Sequence, residues 1–270
     1  MKIHSRTLRR AAILCCCFSC IPDPGSEVCE AGLPQETTTE TRPRIVIVAS
    51  EPEYRTEVTL PKFAADHLAA DFQVSLVFAD ANDENSLSGI ETLKEADLLL
   101  LSARRRTLPP QQLQLIRDFV AAGKPVLGIR TANHAFHLRS KRPPEGRADW
   151  PTFDEEVIGG SYTNHRGAGP KTMITLADSA AAGHPILNGV NPAELIGNGS
   201  LYQVSPLHPT ATPLLTGTIA NTPSEPIAWI NRRRDGGFTF YTSMGYPDDF
   251  QEPAFNRMLK NAVVWLLQQR

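Results

Sequence analysis

The chain has 270 residues, of which 41% are hydrophobic and 21% are charged, so it can bury a sizeable core without metals or disulfides. Its formal net charge of -2 at pH 7 argues against nucleic acid or an anionic membrane surface as the main partner. We therefore expect one large or two small globular domains.

The N-terminal segment has the pattern of an export signal. Four basic residues between Lys2 and Arg10 precede an apolar stretch at 11–21, as in signal peptides rather than transmembrane helices. We predict a signal peptide over 1–30, a disordered linker over 31–43 and one domain over 44–270. The mature chain is then periplasmic or secreted and has no transmembrane span. Lipid anchoring at Cys20 is the alternative, although the residues before it fit a lipoprotein signal poorly.

All five cysteines lie at or before Cys29. From Glu30 onward the sequence offers no thiol for a disulfide framework, a zinc thiolate site or a nucleophile. Any chemistry in the folded part must use other groups.

Strand and helix patterns alternate through the first half of the chain. Apolar runs at 44–50, 72–80, 96–103 and 125–130 are typical of buried strands. Apolar spacing of three and four predicts helices around 57–70 and over 109–124, and a short helix fits between the second and third strands. This alternation predicts an α/β fold, a doubly wound and mostly parallel sheet with helices on both faces.

The second half is less regular. Further strand-like segments occur at 171–178, 201–204, 211–217, 226–232 and 238–245, and Asp235-Gly236-Gly237 predicts a hairpin between the last two. Residues 253–270 predict a C-terminal amphipathic helix. Its expected buried face consists of Phe255, Met258, Leu259, Ala262, Val263 and Leu266.

Polar residues follow three of the predicted strands, where doubly wound sheets bind their ligands. Glu53 and Tyr54 follow the first strand, 104–106 the third, and RTANHAFH, from Arg130, the fourth. Two alternatives remain open here. The three arginines at 104–106 fit a solvated charge run, and Glu53 fits a first-turn acid that complements a helix dipole.

Asn133 and His134 lie in the first turn after the fourth strand. Backbone N–H groups point toward the cleft at that place, and imidazole titrates near neutral pH. We therefore predict that His134 is a proton carrier and Asn133 a binding residue.

Two later clusters also offer polar groups. The glycine-rich loop at 159–169 contains Tyr162, Asn164 and His165, and its glycines suit close approach of a ligand. The segment at 242–250 contains Tyr246, Asp248 and Asp249, where Asp249 fits a turn or N-cap before the last helix as well as it fits a site.

Together these segments resemble one family. EPEYRTEVTLPKFA, GKPVLGIRTANHAFH, IGGSYTNHRGAG, HPILNGV and FYTSMGYPDDFQEPAFNRMLKNAVVWLL look like the ThuA-like (trehalose utilisation) family, in consistent order from about Arg44 to the C-terminus. The resemblance implies a flavodoxin-like fold similar to that of class I glutamine amidotransferases.

Two residues differ from the catalytic residues that the resemblance to amidotransferases implies. Arg130 stands where those enzymes carry the nucleophilic cysteine, and Tyr246 where they carry the catalytic histidine. Related ThuA-like sequences often have histidine after Gly245, so Tyr246 departs from that pattern too. Without thiol and imidazole no thioester mechanism can run, which excludes glutaminase activity.

The family resemblance implies a small carbohydrate as the ligand, particularly an oxidised (keto) glycoside. Under this hypothesis acid/base chemistry, whether elimination, isomerisation or hydrolysis, involves Arg130, His134, His165 and Asp248. The expected sugar-binding residues are Glu53, Tyr54, Asn133, Tyr162, Asn164 and Tyr246.

Three further points stay open. The alternative function is a non-catalytic sugar-binding or interaction domain on a degenerate amidotransferase scaffold. No cofactor is expected, although zinc held by His134, His165 and a carboxylate is a minor alternative. The oligomeric state is the third point, with a homo-oligomer as one alternative.

Overall fold

The apolar runs of the first half form the centre of a large sheet. In the computed structural model, which describes residues 42–167 and 169–269, the first strands are β1 (Arg44–Ser50), β2 (Gln73–Ala79), β3 (Leu87–Ser88), β4 (Leu98–Ala103) and β5 (Val126–Ile129). All six residues of β4 and all four of β5 are buried, as expected for strands covered on both faces. The predicted strands of this half are confirmed to within two residues at each end.

The strands of the second half are mostly short at first, and the later ones are longer. They are β6 (Asn164–His165), β7 (Thr172–Leu176), β8 (Ile196–Gly197), β9 (Tyr202–Gln203), β10 (Ala211–Thr218), β11 (Glu225–Arg232) and β12 (Phe238–Thr242). The hairpin predicted at Asp235-Gly236-Gly237 joins β11 to β12. Gly236 has a φ of 89°, which explains a glycine at this turn.

The parallel part of the sheet has flavodoxin topology. Strands β2, β1, β4, β5 and β12 are neighbours in that order, and every pair among them is parallel. Numbered along the chain, these five strands run 2-1-3-4-5, the flavodoxin order, with its switch point between the first and third strands. The predicted α/β fold is therefore confirmed, with β1 and β4 flanking the switch point.

Antiparallel strands extend this core. Beyond β12 the sheet continues as β11, β10, β7 and β8, and β3 pairs antiparallel with β2 at the other edge. A separate two-stranded sheet pairs β6 with β9. The second half thus adds an antiparallel extension, and the small sheet carries part of the candidate site.

Three α-helices cover the sheet in the described part of the chain. They are α1 (Thr56–Phe63), which continues as a π-helical turn over Ala64–Leu68, α2 (Pro110–Ala121) and α3 (Pro253–Leu267). Helices α1 and α3 pack on one face and α2 on the other. Every residue of the predicted apolar face of α3 is 0% exposed, which confirms that prediction.

Short helical segments complete the chain. The 3-10 segments are Ile90–Glu95, Arg130–His134, Ala181–Gly183, Pro185–Leu187, Pro192–Glu194 and Pro247–Gln251, and Asp154–Ile158 is a π-helical turn. No helix among the described residues is long and apolar enough to cross a membrane. The predicted signal peptide, Cys20 and nearly all of the predicted linker lie outside the described residues and stay predictions, as does the oligomeric state.

Candidate functional site

The loops after β1, β4 and β5 meet at the carboxyl edge of the sheet, as predicted from their polar residues. The carboxylate of Glu53 lies 2.8 Å from the guanidinium of Arg104. The backbone N–H of Arg105 donates to the carbonyl of His134 over 3.0 Å. Because these strands flank the switch point, this edge is where a ligand is expected.

Arg130 occupies a sharp turn between β5 and the following 3-10 segment. Its φ is 45°, in the left-handed region, which costs a residue other than glycine on the order of 1 kcal/mol. Its carbonyl accepts a hydrogen bond from the hydroxyl of the buried Tyr241 over 2.5 Å. The geometry is that of a nucleophile elbow with an arginine at its tip.

The guanidinium of Arg130 is enclosed. The residue is 2% exposed, and its Nη1 donates to the Ser243 carbonyl over 2.7 Å while Nη2 donates to Ser200 Oγ over 3.1 Å. The Tyr54 and Tyr202 ring centres lie 4.1 Å and 4.6 Å from its central carbon. The cation is thus held between two aromatic rings.

Gly199 completes this enclosure. A Cβ at this position would lie 2.7 Å from Arg130 Nη2, so only glycine fits against the guanidinium. In this conformation the guanidinium is enclosed by the protein, and contact of Arg130 with an anion or a carbonyl of the substrate stays a prediction. The arginine fixes the positions of Tyr54 and Tyr202.

A buried carboxylate holds Tyr54 over the arginine. Glu51 is 5% exposed, and its Oε2 accepts hydrogen bonds from the N–H groups of Glu53 and Tyr54 over 2.8 Å and 3.0 Å. Its Oε1 accepts from the Thr56 hydroxyl over 2.8 Å. Glu51 therefore organises the loop, whereas the predicted Glu53 faces Arg104 at the surface and is not part of α1.

His134 is buried and held neutral. The residue is 3% exposed, and its Nδ1 lies 2.9 Å from Asn133 Oδ1. Burial, followed by the nearby cations Arg105 and Arg104, lowers the pKa of His134 to about 2. The imidazolium form of His134 is therefore disfavoured near neutral pH, and its role as a proton carrier stays a prediction.

This shift predicts an acid-sensitive contribution to stability. The unfolded chain binds a proton at His134 below about pH 6.5, but the folded chain does not until about pH 2. The free energy of unfolding should therefore fall by about 1.4 kcal/mol per pH unit between these limits from this group. Between pH 6 and pH 4 we expect the free energy of unfolding of His134→Gln, measured with urea, to fall less than that of the unchanged protein. An equal fall in the two proteins would contradict the assignment of His134 as a neutral imidazole.

Tyr162 and His165 form a hydrogen-bonded pair at the surface of the same edge. The Tyr162 hydroxyl lies 2.5 Å from His165 Nδ1, and the two rings are stacked with centres 6.1 Å apart. Pairing of β6 with β9 places His165 opposite Tyr202. The Tyr162 ring also lies 4.6 Å from those of His134 and Tyr202, centre to centre, so one aromatic cluster connects the pair to the Arg130 enclosure.

The predicted amides differ in exposure. Asn133 is 0% exposed, and its Nδ2 has no hydrogen-bond partner among the described residues. Asn164 is exposed, and its side-chain oxygen accepts from the N–H of His165 over 2.9 Å. Asn164 thus shapes the loop beside the pair, while Asn133 orients His134.

The two acids after β12 have different places. Asp249 is 0% exposed. Its Oδ2 accepts from the N–H groups of Gly245 and Tyr246 over 2.8 Å and 2.9 Å, and its Oδ1 accepts from the N–H of Asn198 over 3.0 Å. Asp249 thus holds the turn before α3, as the N3 residue of a capping box that begins at Tyr246, whereas the N-cap of α3 itself is Glu252.

Asp248 points away from this cluster. It is exposed and lines a cleft of about 290 Å³ between α1 and the 247–251 segment, together with Arg55 and His67. None of the other predicted catalytic residues lines this cleft, and the catalytic role of Asp248 stays a prediction. Tyr246 does lie at the edge of the cluster, with its ring centre 6.0 Å from that of Tyr54.

These two neighbouring acids give a matched stability test. Asp249→Ala should lower the free energy of unfolding by about 2–4 kcal/mol, because several buried N–H groups lose their acceptor. Asp248→Ala should change it by less than about 0.5 kcal/mol. Urea unfolding of both variants checks this, and similar values for the two would contradict the assignment.

Sequence reasoning missed three residues of the site. Glu51 lies in the polar loop after β1, but nothing in the sequence indicates that Glu51 rather than Glu53 is buried. Tyr202 lies in a predicted strand whose burial no alternation of apolar and polar residues indicates, and Gly199, which closes over the guanidinium of Arg130, lies in a loop without a motif. No group of three His, Cys, Asp or Glu side chains that could hold a metal ion occurs within 42–167 and 169–269.

The comparisons with known proteins agree with one another. The sequence model of the ThuA family, described as trehalose utilisation, matches residues 44–266. A ThuA-like protein from Bacteroides uniformis is similar in structure, with a TM-score of 0.62, 16% identity and coverage of 87% of this chain and 95% of that one. A ThuA-like protein from Parabacteroides merdae gives a TM-score of 0.60, 14% identity and coverage of 84% and 90%. At these identities the two structures support the fold alone. A search of curated proteins finds no match.

Proposed function

Since this chain belongs to the ThuA (trehalose utilisation) family, we propose that it processes a carbohydrate at the carboxyl edge of its sheet by acid/base chemistry. The substrate class is an oxidised sugar, in which a carbonyl acidifies the hydrogen on the neighbouring carbon. The step at this site is transfer of that proton to the protein. Elimination and isomerisation both begin in this way.

The pair formed by Tyr162 and His165 carries the proposal. Their 2.5 Å contact joins two groups that exchange protons, and His165 is exposed, so a sugar can reach it. Burial raises the pKa of Tyr162, which keeps its hydroxyl protonated at working pH. The pair thus has an accessible imidazole and a hydroxyl that orients it.

The tautomer of His165 decides which role its outer nitrogen takes. When Nδ1 carries the hydrogen and donates to the Tyr162 oxygen, Nε2 has a free lone pair and acts as the base. Once Nε2 has taken a proton from the sugar, His165 is an imidazolium, and that cation is the acid that returns the proton. When the Tyr162 hydroxyl donates to Nδ1 instead, Nε2 already carries a hydrogen and cannot act as the base. One pair can therefore remove a proton from one carbon and return it to another atom of the sugar.

The enclosed arginine and the neutral histidine favour a second candidate, a non-catalytic sugar-binding domain. Arg130 is 2% and His134 3% exposed, so neither reaches a ligand in this conformation. If the Tyr162–His165 pair only binds hydroxyl groups, the site still holds a sugar against an aromatic cluster. The two candidates differ in turnover, not in the place where the sugar binds.

The experiment that separates them uses the purified protein with a panel of keto-disaccharides and unmodified disaccharides. Product formation on a keto-sugar, lost in His165→Ala and retained in His208→Ala, supports the enzyme. His208 is a suitable control because it is a partly exposed histidine bonded to Thr210, at the start of β10. Sugar binding without turnover on any member of the panel would leave only the binding function.

A further inference from the structure

Two arginines beside the Tyr162–His165 pair have left-handed backbones. Arg105 follows β4 with a φ of 52°, and Arg139 follows the segment after β5 with a φ of 58°. Each such conformation costs a residue other than glycine on the order of 1 kcal/mol. Strained residues of this kind cluster at ligand sites, where the strain places a side chain.

These two cations have no acidic partner in the part of the chain that the structure describes. Arg104 is paired with Glu53 over 2.8 Å, whereas neither Arg105 nor Arg139 has a carboxylate within ion-pair distance among residues 42–167 and 169–269. Burial lowers the pKa of Arg105, and repulsion from Arg139 and then Arg104 adds to the effect. Both arginines also contact His137, since Arg105 Nη1 lies 3.5 Å from its carbonyl and the N–H of Arg139 donates to its Nδ1 over 3.2 Å.

The positive charge of Arg139 also acts on the Tyr162–His165 pair. Burial raises the pKa of Tyr162, and Arg139 is the largest of the influences that oppose it. The same arginines act on His134, which lies beside Asn133 with its unpartnered, fully buried Nδ2 donor. Arg105, Arg139 and the spare donor of Asn133 thus lie on or beside the turn whose His134 packs on the aromatic cluster.

We propose that the sugar bound at this site carries an anionic group, a carboxylate or a phosphate, and that Arg105 and Arg139 hold it. Guanidinium groups bind both anions through paired N–H donors. The anion would relieve the repulsion between the arginines and fix the sugar against Tyr162 and His165. This inference rests on the proposed function, because it names the substrate class of the same site.

The test is calorimetric titration of the purified protein with glucose, glucuronate, glucose 6-phosphate and inorganic phosphate. We expect glucuronate or glucose 6-phosphate to bind at least roughly tenfold more tightly than glucose, with an affinity that falls as salt rises. The stronger of the two identifies the anion. Binding of inorganic phosphate at the same strength as both sugars would show an unspecific cation patch and overturn the proposal.

The double variant Arg105→Gln, Arg139→Gln should lose this preference, roughly 10- to 100-fold in affinity. The matched control is Arg117→Gln, since Arg117 lies over the Trp150 ring at 5.4 Å and donates to the Asp149 carbonyl. Thermal unfolding of each variant shows that it is folded. Equal affinity for glucose and glucuronate in the unchanged protein, or an unchanged preference in the folded double variant, would overturn the proposal.

The outcomes also separate this inference from the proposed function. Anion-dependent binding without turnover of any sugar supports the arginine site and refutes the enzyme. Turnover of a neutral keto-sugar, with no preference for an anionic one, supports the enzyme and refutes the arginine site.

Discussion

Replacement of His165 by alanine is expected to lower kcat/KM for the keto-sugar substrate by roughly 10²- to 10⁴-fold, the usual contribution of general acid/base catalysis. Tyr162→Phe keeps the ring that packs on His134 and Tyr202 but removes the hydroxyl bonded to His165. It should therefore lower kcat with a smaller change in KM, because the sugar still meets the same aromatic surface.

Steady-state kinetics of these two variants and of His208→Ala measure this effect. A decrease of less than about threefold in both variants would show that the pair does not carry the chemistry.

Replacement of Arg130 by alanine is expected to lower the free energy of unfolding by about 3–5 kcal/mol. The change leaves a cavity between Tyr54 and Tyr202 and removes the donor to the Ser243 carbonyl. The left-handed backbone remains, and alanine tolerates it no better than arginine does. Chemical denaturation of the unchanged protein and of the variant gives the difference.

Arg117→Ala is the matched control for this stability loss. It also removes an arginine that lies over an aromatic ring, but at a less buried place where such a contact contributes only about 0.5–1 kcal/mol. A loss below about 1 kcal/mol for Arg130→Ala would contradict the assignment of Arg130 as the residue that fixes the two tyrosines.

The sequence predicts much of the fold because buried strands and amphipathic helices leave direct patterns. The runs at 44–50 and 125–130 are apolar because both faces of β1 and β5 are covered. The C-terminal helix repeats its apolar residues every three or four positions because one face contacts the sheet. The order of strands in the antiparallel extension leaves no such local pattern, since it depends on pairings between distant segments.

The site is less predictable, because it too depends on contacts between segments that are distant in the sequence. The polar residues after β1, β4 and β5 are expected to meet, and they do, because parallel strands share one edge. Burial of Arg130 by Tyr202 and Gly199, however, depends on a segment seventy residues away in the sequence, whose path no local pattern reveals. The neutral state of His134 likewise follows from its burial and then from Arg105 and Arg104, which lie in the loop after β4.

The central claim is that the Tyr162–His165 pair moves a proton at a carbon of the bound sugar. The most direct measurement is incorporation of deuterium from D₂O into a keto-sugar next to its carbonyl, followed by NMR with the unchanged protein and with His165→Ala. The account predicts incorporation that depends on the protein and is lost in His165→Ala but not in His208→Ala. No incorporation into any keto-sugar of the panel, or equal incorporation with His165→Ala, would contradict it.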